Sequence, residues 1–596
     1  MTEIVGERVA GATNAVDSDR VELPWHRDLW FLGALILVAV SLVVSIVRAL
    51  TDHYLPGSDW ALIELQVRNV GTSVTPLVGA WSRFNWHHPG PLLYYLLAVP
   101  YWLTGKSPLG IQLGAIAINA TSIILTLVVL RHRGPVTLML GALGLILLQF
   151  GLPANQLRTE WNASIPLMAF VLLLIAAWDL ERGRRLAYVI TPVCAVFLIQ
   201  AHVAYGPLAA PALAVWAWSV WRHWNVDAIR RASLFALATA GLLSLPIMID
   251  ALAHRGGNAL RLVKWSFTAH QGPGWSSALH LVGNQASLRV PFVTGLHSTI
   301  FGVLDPNAIG LLPGAMFVGL IAAGIFGSRS VKRLVAILLI TWVPGLVATT
   351  RISGPLYPHV LWWALPLGMV SWLAIALFAV ERLGSRQRSS RRVLVVLAAS
   401  ATGLAVILGV RVAGSDAQFA DKHTAIVSFS NAIRKAAHGR ATPTLAITSK
   451  YVDQGDIQAG VMAHLDHAGI FVRVPSSPQN VNVFPPERID RHPGTTPAFL
   501  VTGRIGRFSP PGKLIASDDP LSRAEQHRWA ADYLEIRAAL LRAKKPELVG
   551  WLLTPNAWIA RTQAPEVFAP LKATMRDLEQ LNARGNANLL WLIPPH

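Results

Sequence analysis

Residues 28–50 read DLWFLGALILVAVSLVVSIVRAL, an almost uninterrupted apolar stretch of about 23 residues. A helix of this length matches the roughly 20 residues needed to cross the hydrocarbon core of a bilayer. No small-residue cleavage site follows it, so we predict a permanent anchor and not a removed signal peptide. Residues 1–27 are polar and are predicted to be a cytoplasmic tail. This stretch predicts an integral membrane protein.

Apolar blocks of similar length continue to about residue 413, in a chain of 596 residues that is 53% hydrophobic and 14% charged. Soluble domains carry about 25% charged residues. The predicted spans are residues 28–50, 108–130, 135–151, 160–179, 186–203, 206–222, 232–251, 308–327, 334–350, 360–380 and 393–413. Two shorter apolar pieces, residues 90–105 and 291–305, would be only about 24 Å long as helices. Counting both gives 13 crossings, and counting neither gives 11.

The net charge of +19 is concentrated between the apolar blocks and does not indicate nucleic-acid binding. Sixteen Lys and Arg residues lie in five short stretches, at 131–133, 182–185, 222–231, 329–333 and 382–392. Under the positive-inside rule such stretches are cytoplasmic loops. All five face the cytoplasm only with 11 full spans, so residues 90–105 and 291–305 are predicted to be partial or re-entrant. The N-terminus is then cytoplasmic and the C-terminus outside, as expected in a bacterial-type inner membrane.

Residues 414–596 have a different character and are predicted to form an extracytoplasmic domain. Short apolar strands at 443–449, 470–474 and 498–503 alternate with helical stretches at 456–468, 521–542 and 565–584. This alternation is typical of an α/β layer domain. No Gly-rich phosphate loop and no metal-ligand spacing occurs in it, and a single cysteine, Cys194, excludes an intrachain disulfide. The predicted fold class is a polytopic α-helical membrane protein with a C-terminal α/β domain.

The first predicted outer loop, residues 51–89, begins with a candidate catalytic carboxylate. From Asp59 a helical pattern to residue 70 predicts an amphipathic helix lying on the membrane surface. Asp59 is either the N-cap of this helix or a general base at the lipid–water boundary. Glu64 is a weaker catalytic candidate, because its i,i+4 spacing to Arg68 favours a helix pair.

The same loop ends in Trp81-Ser82-Arg83-Phe84-Asn85-Trp86-His87-His88-Pro89-Gly90-Pro91, a stiff polar turn before an apolar segment. One interpretation is a loop carrying interfacial aromatic residues. The other is a binding site using the polar residues Arg83, Asn85, His87 and His88. Adjacent histidines rarely bind one metal together, and no spacing completes a zinc site, so no metal site is predicted.

The order of these motifs resembles the GT-C superfamily of polyprenyl-phosphate-sugar-dependent membrane glycosyltransferases, in particular protein mannosyltransferases and lipid A aminoarabinose transferases. The resemblance covers roughly residues 28–380. It implies that the acidic residue of the first outer loop, here Asp59, is catalytic. The sequence 88–91, His-Pro-Gly-Pro, matches the family's His-Pro-Pro-Leu turn imperfectly. Some GT-C enzymes use a divalent cation and others none, so the resemblance leaves a cation requirement open.

Further polar residues at the predicted outer edge fit a donor site, because ionisable groups at a membrane boundary are functional candidates by default. Two further outer segments, residues 252–290 and 351–359, contribute to it. Arg engages phosphate oxygens bidentately and so suits a phosphate leaving group. For Arg158 the alternative is snorkelling to headgroup phosphate, and for His202 a structural hydrogen bond. The candidates for donor phosphate or sugar binding are His88, Arg158, Glu160, Gln200, His202, Lys264, Arg351, Tyr357 and His359.

The resemblance, together with these residues, implies an inverting GT-C glycosyltransferase that transfers a hexose or pentose on the outer face of the membrane. The sugar would pass from a polyprenyl-phosphate donor to an envelope glycan, lipid or protein. The alternatives are a transporter or flippase of a lipid-linked glycan and a non-catalytic envelope-assembly scaffold. A transporter requires polar residues near the bilayer midplane, whereas here the polar groups concentrate at one edge.

Overall fold

The computed structural model describes residues 24–82, 84–268, 272–286, 311–353, 356–383, 387–437, 442–447, 452–478, 480–491, 498–503, 512–553, 557–585 and 587–593. Its first part is a helical body. The helices of the body are α1 Leu29–Thr51, α2 Ser58–Asn69, α3 Leu92–Leu103, α4 Pro108–Arg131, α5 Pro135–Phe150, α6 Pro166–Asp179, α7 Arg185–Ala201, α8 Tyr205–Arg222, α9 Asp227–Ala253, α10 Gly257–Phe267, α11 Gly274–Ala286, α12 Leu311–Phe326, α13 Arg329–Thr349, α14 Ala364–Leu383 and α15 Gln387–Ala413.

Each of the 11 predicted spans coincides with a helix of the body. Within the described residues, six helices are long and apolar enough to cross a membrane by length and composition, namely α1, α4, α9, α13, α14 and residues 391–413 of α15. The protein is thus a multi-pass membrane protein. The short segment predicted at 90–105 forms α3, a 12-residue helix. The other, residues 291–305, lies outside the described residues.

Local signals explain where these helices begin. Asp28 accepts a hydrogen bond from the backbone N–H of Phe31 at 3.0 Å and so caps α1. Ser107 accepts one from Leu109, and Pro108 takes the first helical position of α4, where no backbone donor is needed. A large apolar core joins α1 and the helices α3 to α8 and α12 to α15.

The C-terminal part is an α/β unit, as predicted. Its helices are α16 His423–Ala437, α17 Val452–His467, α18 Asn480–Val483, α19 Arg523–Arg542, α20 Trp558–Gln563, α21 Pro565–Phe568 and α22 Lys572–Ala583. A hairpin of the body supplies β1 Trp81–Ser82 and β2 Trp86–His87; the C-terminal strands are β3 Thr444–Ile447, β4 Val474–Pro475, β5 Ile489–Asp490, β6 Ala498–Thr502, β7 Lys513–Asp518 and β8 Asn588–Ile593.

The main sheet of this unit has the strand order β3-β6-β8-β7, with β3 parallel to β6 and the other pairs antiparallel. Strands β4 and β5 form a separate parallel pair. The sequence alone predicts β3 and β6 but misses β7 and β8. Strand β7 lies at the edge of the sheet and alternates poorly between apolar and polar residues, and β8 is apolar at five of its six positions.

Helix α2 lies between the body and the C-terminal unit. Trp60, Ile63 and Val67 belong to the core of the body, whereas Ala61 and Leu65 on the other face belong to a core formed by α16, α17 and the sheet. The predicted helix is confirmed within one residue, but the prediction that it lies on the membrane surface is wrong. Protein covers both of its apolar faces, because α17 packs where lipid headgroups were expected.

Candidate active site

Asp59 lies in the first turn of α2, at the end of the body that carries the C-terminal unit. Gly57 is the N-cap of this helix, so the N-cap interpretation of Asp59 is wrong. The carboxylate oxygen Oδ2 of Asp59 instead accepts a hydrogen bond from the indole N–H of Trp161 at 3.1 Å. Asp59 remains accessible to solvent, yet the protein atoms around it desolvate the carboxylate and raise its pKa. The Trp161 hydrogen bond acts in the opposite direction.

Trp161 is held in place by a second tryptophan. Its ring stacks on Trp60 with centroids 4.7 Å apart, and Trp60 donates its indole N–H to the Thr159 hydroxyl at 2.5 Å. Trp161 is only 4% exposed. Burial and stacking leave this indole little rotational freedom, so Trp161 fixes the orientation of the Asp59 carboxylate.

Three histidines lie beyond Trp161. The ring of His359 is 4.7 Å from Trp161 in an edge-to-face arrangement, and the rings of His88 and His202 are 4.4 Å apart. Tyr357 stacks on His359 with centroids 5.5 Å apart. The structure therefore brings together four of the predicted donor-site residues, which come from three distant parts of the sequence.

The backbone fixes the tautomers of two of these imidazoles. Nδ1 of His88 accepts a hydrogen bond from the backbone N–H of Val203 at 3.1 Å, and Nδ1 of His202 accepts one from Ala204 at 3.3 Å. Each ring is thus neutral, with its proton on Nε2. Burial and the neighbouring His202 and His87 also hold the pKa of His88 well below its ordinary value. These histidines are hydrogen-bond donors and not fixed cations.

The neighbouring first-loop candidates have other roles. His87 points away from His88, with Nε2 2.9 Å from the carbonyl oxygen of Asn482 in the C-terminal unit. Asn85 is exposed, and its φ of 62° shows that it is the left-handed residue of the β1–β2 turn. Arg83 lies outside the described residues. Of the first-loop candidates that the structure describes, His88 lies in the histidine cluster.

Three predicted donor-site residues are engaged by neighbouring protein groups. Arg158, 1% exposed, pairs with the Asp52 carboxylate and donates to the backbone oxygen of Ser415 at 2.8 Å. Glu160 is buried and accepts a hydrogen bond from the hydroxyl of Tyr54 at 2.6 Å. The Gln200 side chain accepts from the backbone N–H of Leu92 at 3.3 Å and donates to a backbone oxygen of α9 at 2.8 Å. These contacts connect helices, so we leave all three out of the proposed donor clamp.

Lys264 and Arg351 are exposed cations near the cluster. Arg351 donates to the backbone oxygen of Thr268 at 3.0 Å, and the Thr268 hydroxyl donates to the backbone oxygen of Lys264 at 2.9 Å. Helix α10, which carries Lys264, also carries Trp265, whose ring packs 5.2 Å from that of Trp86. Both cations thus lie at the rim of the same region.

Glu64, the weaker catalytic candidate, is fully buried beneath the C-terminal unit. Its Oε1 is 3.4 Å from Arg68, as the i,i+4 spacing predicts, 3.1 Å from the Tyr101 hydroxyl and 2.5 Å from Nε2 of His467. This network joins α2 to α3 and α17. Its contacts are those of a tether between the body and the C-terminal unit.

Sequence reasoning did not identify Trp161 as a partner of Asp59, because the two residues are 102 positions apart. It also missed Trp60 and the histidines of α16 and α17. Within the described part of the chain, no group of three or more His, Cys, Asp or Glu residues could hold a metal ion.

No family model and no curated protein matches the chain. Among solved structures, it is similar to ArnT from Cupriavidus metallidurans in the apo state, with 13% identity, a TM-score of 0.49 and coverage of 81% of this chain and 95% of that one. The same ArnT bound to undecaprenyl phosphate gives 14% identity, a TM-score of 0.47 and coverage of 81% and 96%. Arabinosyltransferase EmbB from Mycobacterium smegmatis gives 11% identity, a TM-score of 0.29 and coverage of 69% of this chain and 43% of that one.

ArnT, the lipid A aminoarabinose transferase, and EmbB are GT-C enzymes, the superfamily that the sequence resembles.

Proposed function

We propose that this protein is an inverting membrane glycosyltransferase that uses a polyprenyl-phosphate sugar, with Asp59 as its general base. The observation that carries the proposal is the fixed Asp59–Trp161 pair beside a histidine cluster, in which His88 and His202 are neutral, at one end of an apolar helical body. A carboxylate there lies where an apolar carrier and a water-borne acceptor can meet. The acceptor is an envelope glycan, lipid or protein, and the sugar is a hexose or pentose.

In the proposed step, Asp59 accepts the proton of an acceptor hydroxyl while the hydroxyl oxygen forms a bond to the anomeric carbon of the sugar. The bond between this carbon and the phosphate oxygen breaks at the same time, and the electron pair leaves with polyprenyl phosphate. The anomeric configuration inverts because attack and departure occur on opposite faces. The raised pKa of Asp59 makes it a stronger base than an ordinary aspartate.

The proposed donor clamp divides its work between charge and hydrogen bonding. Lys264 and Arg351 supply positive charge to the phosphate. His88 and His202, each protonated on Nε2, donate hydrogen bonds to phosphate or sugar oxygens, and Tyr357 with His359 forms a flat surface for the sugar. Such donors stabilise the negative charge that grows on the leaving phosphate.

The orientation in the membrane is part of the proposal. The five basic loops support a cytoplasmic location for the end of the body opposite Asp59. Residues 51–89, the candidate site and the C-terminal domain 414–596 then lie outside the cytoplasm. Residues 28–413 form the catalytic body, in the inner membrane of a bacterial-type cell.

The test is sugar transfer by purified protein in nanodiscs with a panel of labelled polyprenyl-phosphate sugars. We expect product from one donor, and a loss of at least about 1,000-fold in Asp59→Asn, within the range spanned by removal of catalytic groups. Asp227→Asn is the control, because Asp227 is an exposed carboxylate in a basic loop at the other end of the body. Full transfer by Asp59→Asn removes Asp59 from the mechanism, and no product from any donor favours the transporter alternative.

A further inference from the structure

A cavity of about 370 Å³ lies between the body and the C-terminal unit. Asp52, His53 and Tyr54 line it where α1 passes into α2. Gln112 of α4, His423 and Val427 of α16 and His464 of α17 line it from the other side. Pockets that bind small molecules measure about 300–1,000 Å³, so the volume suits a single small ligand group.

A narrow inner recess, too small to hold a water molecule, shares Tyr54 and Gln112 with the cavity and is also lined by Arg158, Thr159 and Glu160. Three buried polar atoms here have no hydrogen-bond partner within the described part of the chain: Oε1 of Gln112, Oε2 of Glu160 and Nε of Arg158. Gln112 is 2% exposed and Glu160 fully buried. Of these three residues, Gln112 also lines the cavity. An unpaired polar atom at such depth is costly, which indicates that a molecule bound in the cavity completes Oε1 of Gln112.

The charges of the lining favour an uncharged ligand. The carboxylate of Asp52 is already paired with Arg48 and Arg158. Burial and the nearby His467 and His423 lower the pKa of His464, which opposes a cationic imidazole. An anion would meet the Asp52 carboxylate, and a cation would find this carboxylate already paired. A neutral molecule with several hydroxyl groups, which donate and accept, matches the unpaired acceptor of Gln112 and the neutral polar side chains of the lining.

The recess is linked to Asp59 by the tryptophan pair. Trp60 donates to Thr159 on the recess side, and Trp161, which stacks on Trp60, donates to Asp59 on the other side. A ligand in the cavity is therefore close to the candidate active site but separated from the carboxylate by two rings.

From these observations we infer that the cavity between α4, α16 and α17 binds a non-reacting saccharide unit of the acceptor. The inference rests on the proposed function, since it assigns the acceptor a second sugar-binding subsite. Binding energy from a remote unit of this kind would position the reacting hydroxyl at Asp59.

The test is saturation-transfer difference NMR on the full-length protein in nanodiscs, with a panel of methyl glycosides of hexoses and pentoses as probes. Val427→Phe fills the cavity, and Val427→Ala is its matched open control. Gln112→Leu removes one unpaired acceptor and gives a second, independent variant. We expect at least one glycoside to receive saturation from the wild type. Gln112→Leu should weaken its binding by about 3- to 10-fold, as for one lost hydrogen bond, and Val427→Phe should weaken it at least as much because the larger ring occupies the cavity.

Asp59→Asn separates this inference from the proposed function. It should abolish transfer and leave glycoside binding unchanged, because Asp59 does not line the cavity. Glycoside binding without any sugar transfer by the wild type would overturn the proposed glycosyltransferase function and leave the proposed subsite standing. Absence of saturation for the whole panel would overturn the subsite even if transfer is normal. Binding by Val427→Phe and Gln112→Leu that is as tight as in the wild type would overturn it too.

Discussion

Trp161→Phe removes the hydrogen bond to Asp59 and keeps an aromatic ring against Trp60 and His359. The lost contact is the 3.1 Å bond from the indole N–H to Oδ2 of Asp59. Because this bond lowers the pKa of Asp59 while desolvation raises it, its removal leaves desolvation unopposed. The pKa of Asp59 must then rise further above its ordinary value.

The size of the shift follows from the strength of the bond. A hydrogen bond to a charged group contributes about 1.5–3 kcal/mol, which corresponds to about 1–2 pKa units. Asp59 is accessible to solvent, so screening favours the lower end, about one unit. Asp59 accepts a proton only when ionised, so kcat/KM falls as the pH falls through its pKa. In the variant, the acidic limb of the plot of kcat/KM against pH should therefore move to higher pH by about one unit.

The assay is the pH dependence of kcat/KM for sugar transfer in nanodiscs, for wild type, Trp161→Phe and Trp362→Phe. Trp362 is a matched control, because it is 2% exposed and contacts the edge of the Trp161 ring with centroids 6.0 Å apart. Its substitution reports the loss of aromatic volume alone. An acid limb at the same pH in all three proteins would refute the assignment of Asp59 as the base tuned by Trp161.

Three further outcomes are expected. Glu64→Gln should destabilise the protein by about 1–3 kcal/mol, seen as a lower Tm, because it removes the charge from a buried network; an unchanged Tm would contradict the tether. Lys264→Ala and Arg351→Ala should each raise the donor KM by about 2- to 5-fold, more at low salt, with kcat retained, as expected of exposed charge contacts; a salt-independent loss of kcat would contradict the clamp. In a Cys194→Ala background, Ser73→Cys should react with a membrane-impermeant maleimide added to intact cells; labelling only after permeabilisation would place the site in the cytoplasm.

The helical body could be predicted from the sequence because a membrane span is a local property. Twenty consecutive apolar residues suffice to specify it, without knowledge of any neighbour. For that reason each predicted span coincides with a helix, and α2 and the Glu64–Arg68 pair were also predictable from short-range spacing. The α/β character of residues 414–596 followed from alternation alone, although β7 and β8 did not.

The site itself depends on contacts between distant residues. Asp59 and Trp161 meet across 102 positions, and the contact between Arg158 and Ser415 crosses 257. No local pattern could show that Arg158 is already paired or that His88 is a neutral donor and not a cation. A resemblance between motifs identified Asp59 as the candidate base.

Its surroundings required the tertiary structure, because hydrogen-bond partners and desolvation are set by whichever elements pack together. The face of α2 shows the same division. The spacing of its apolar residues predicts an amphipathic helix, but this spacing does not determine whether lipid or protein covers the apolar face. The packing of α17 decided that protein does.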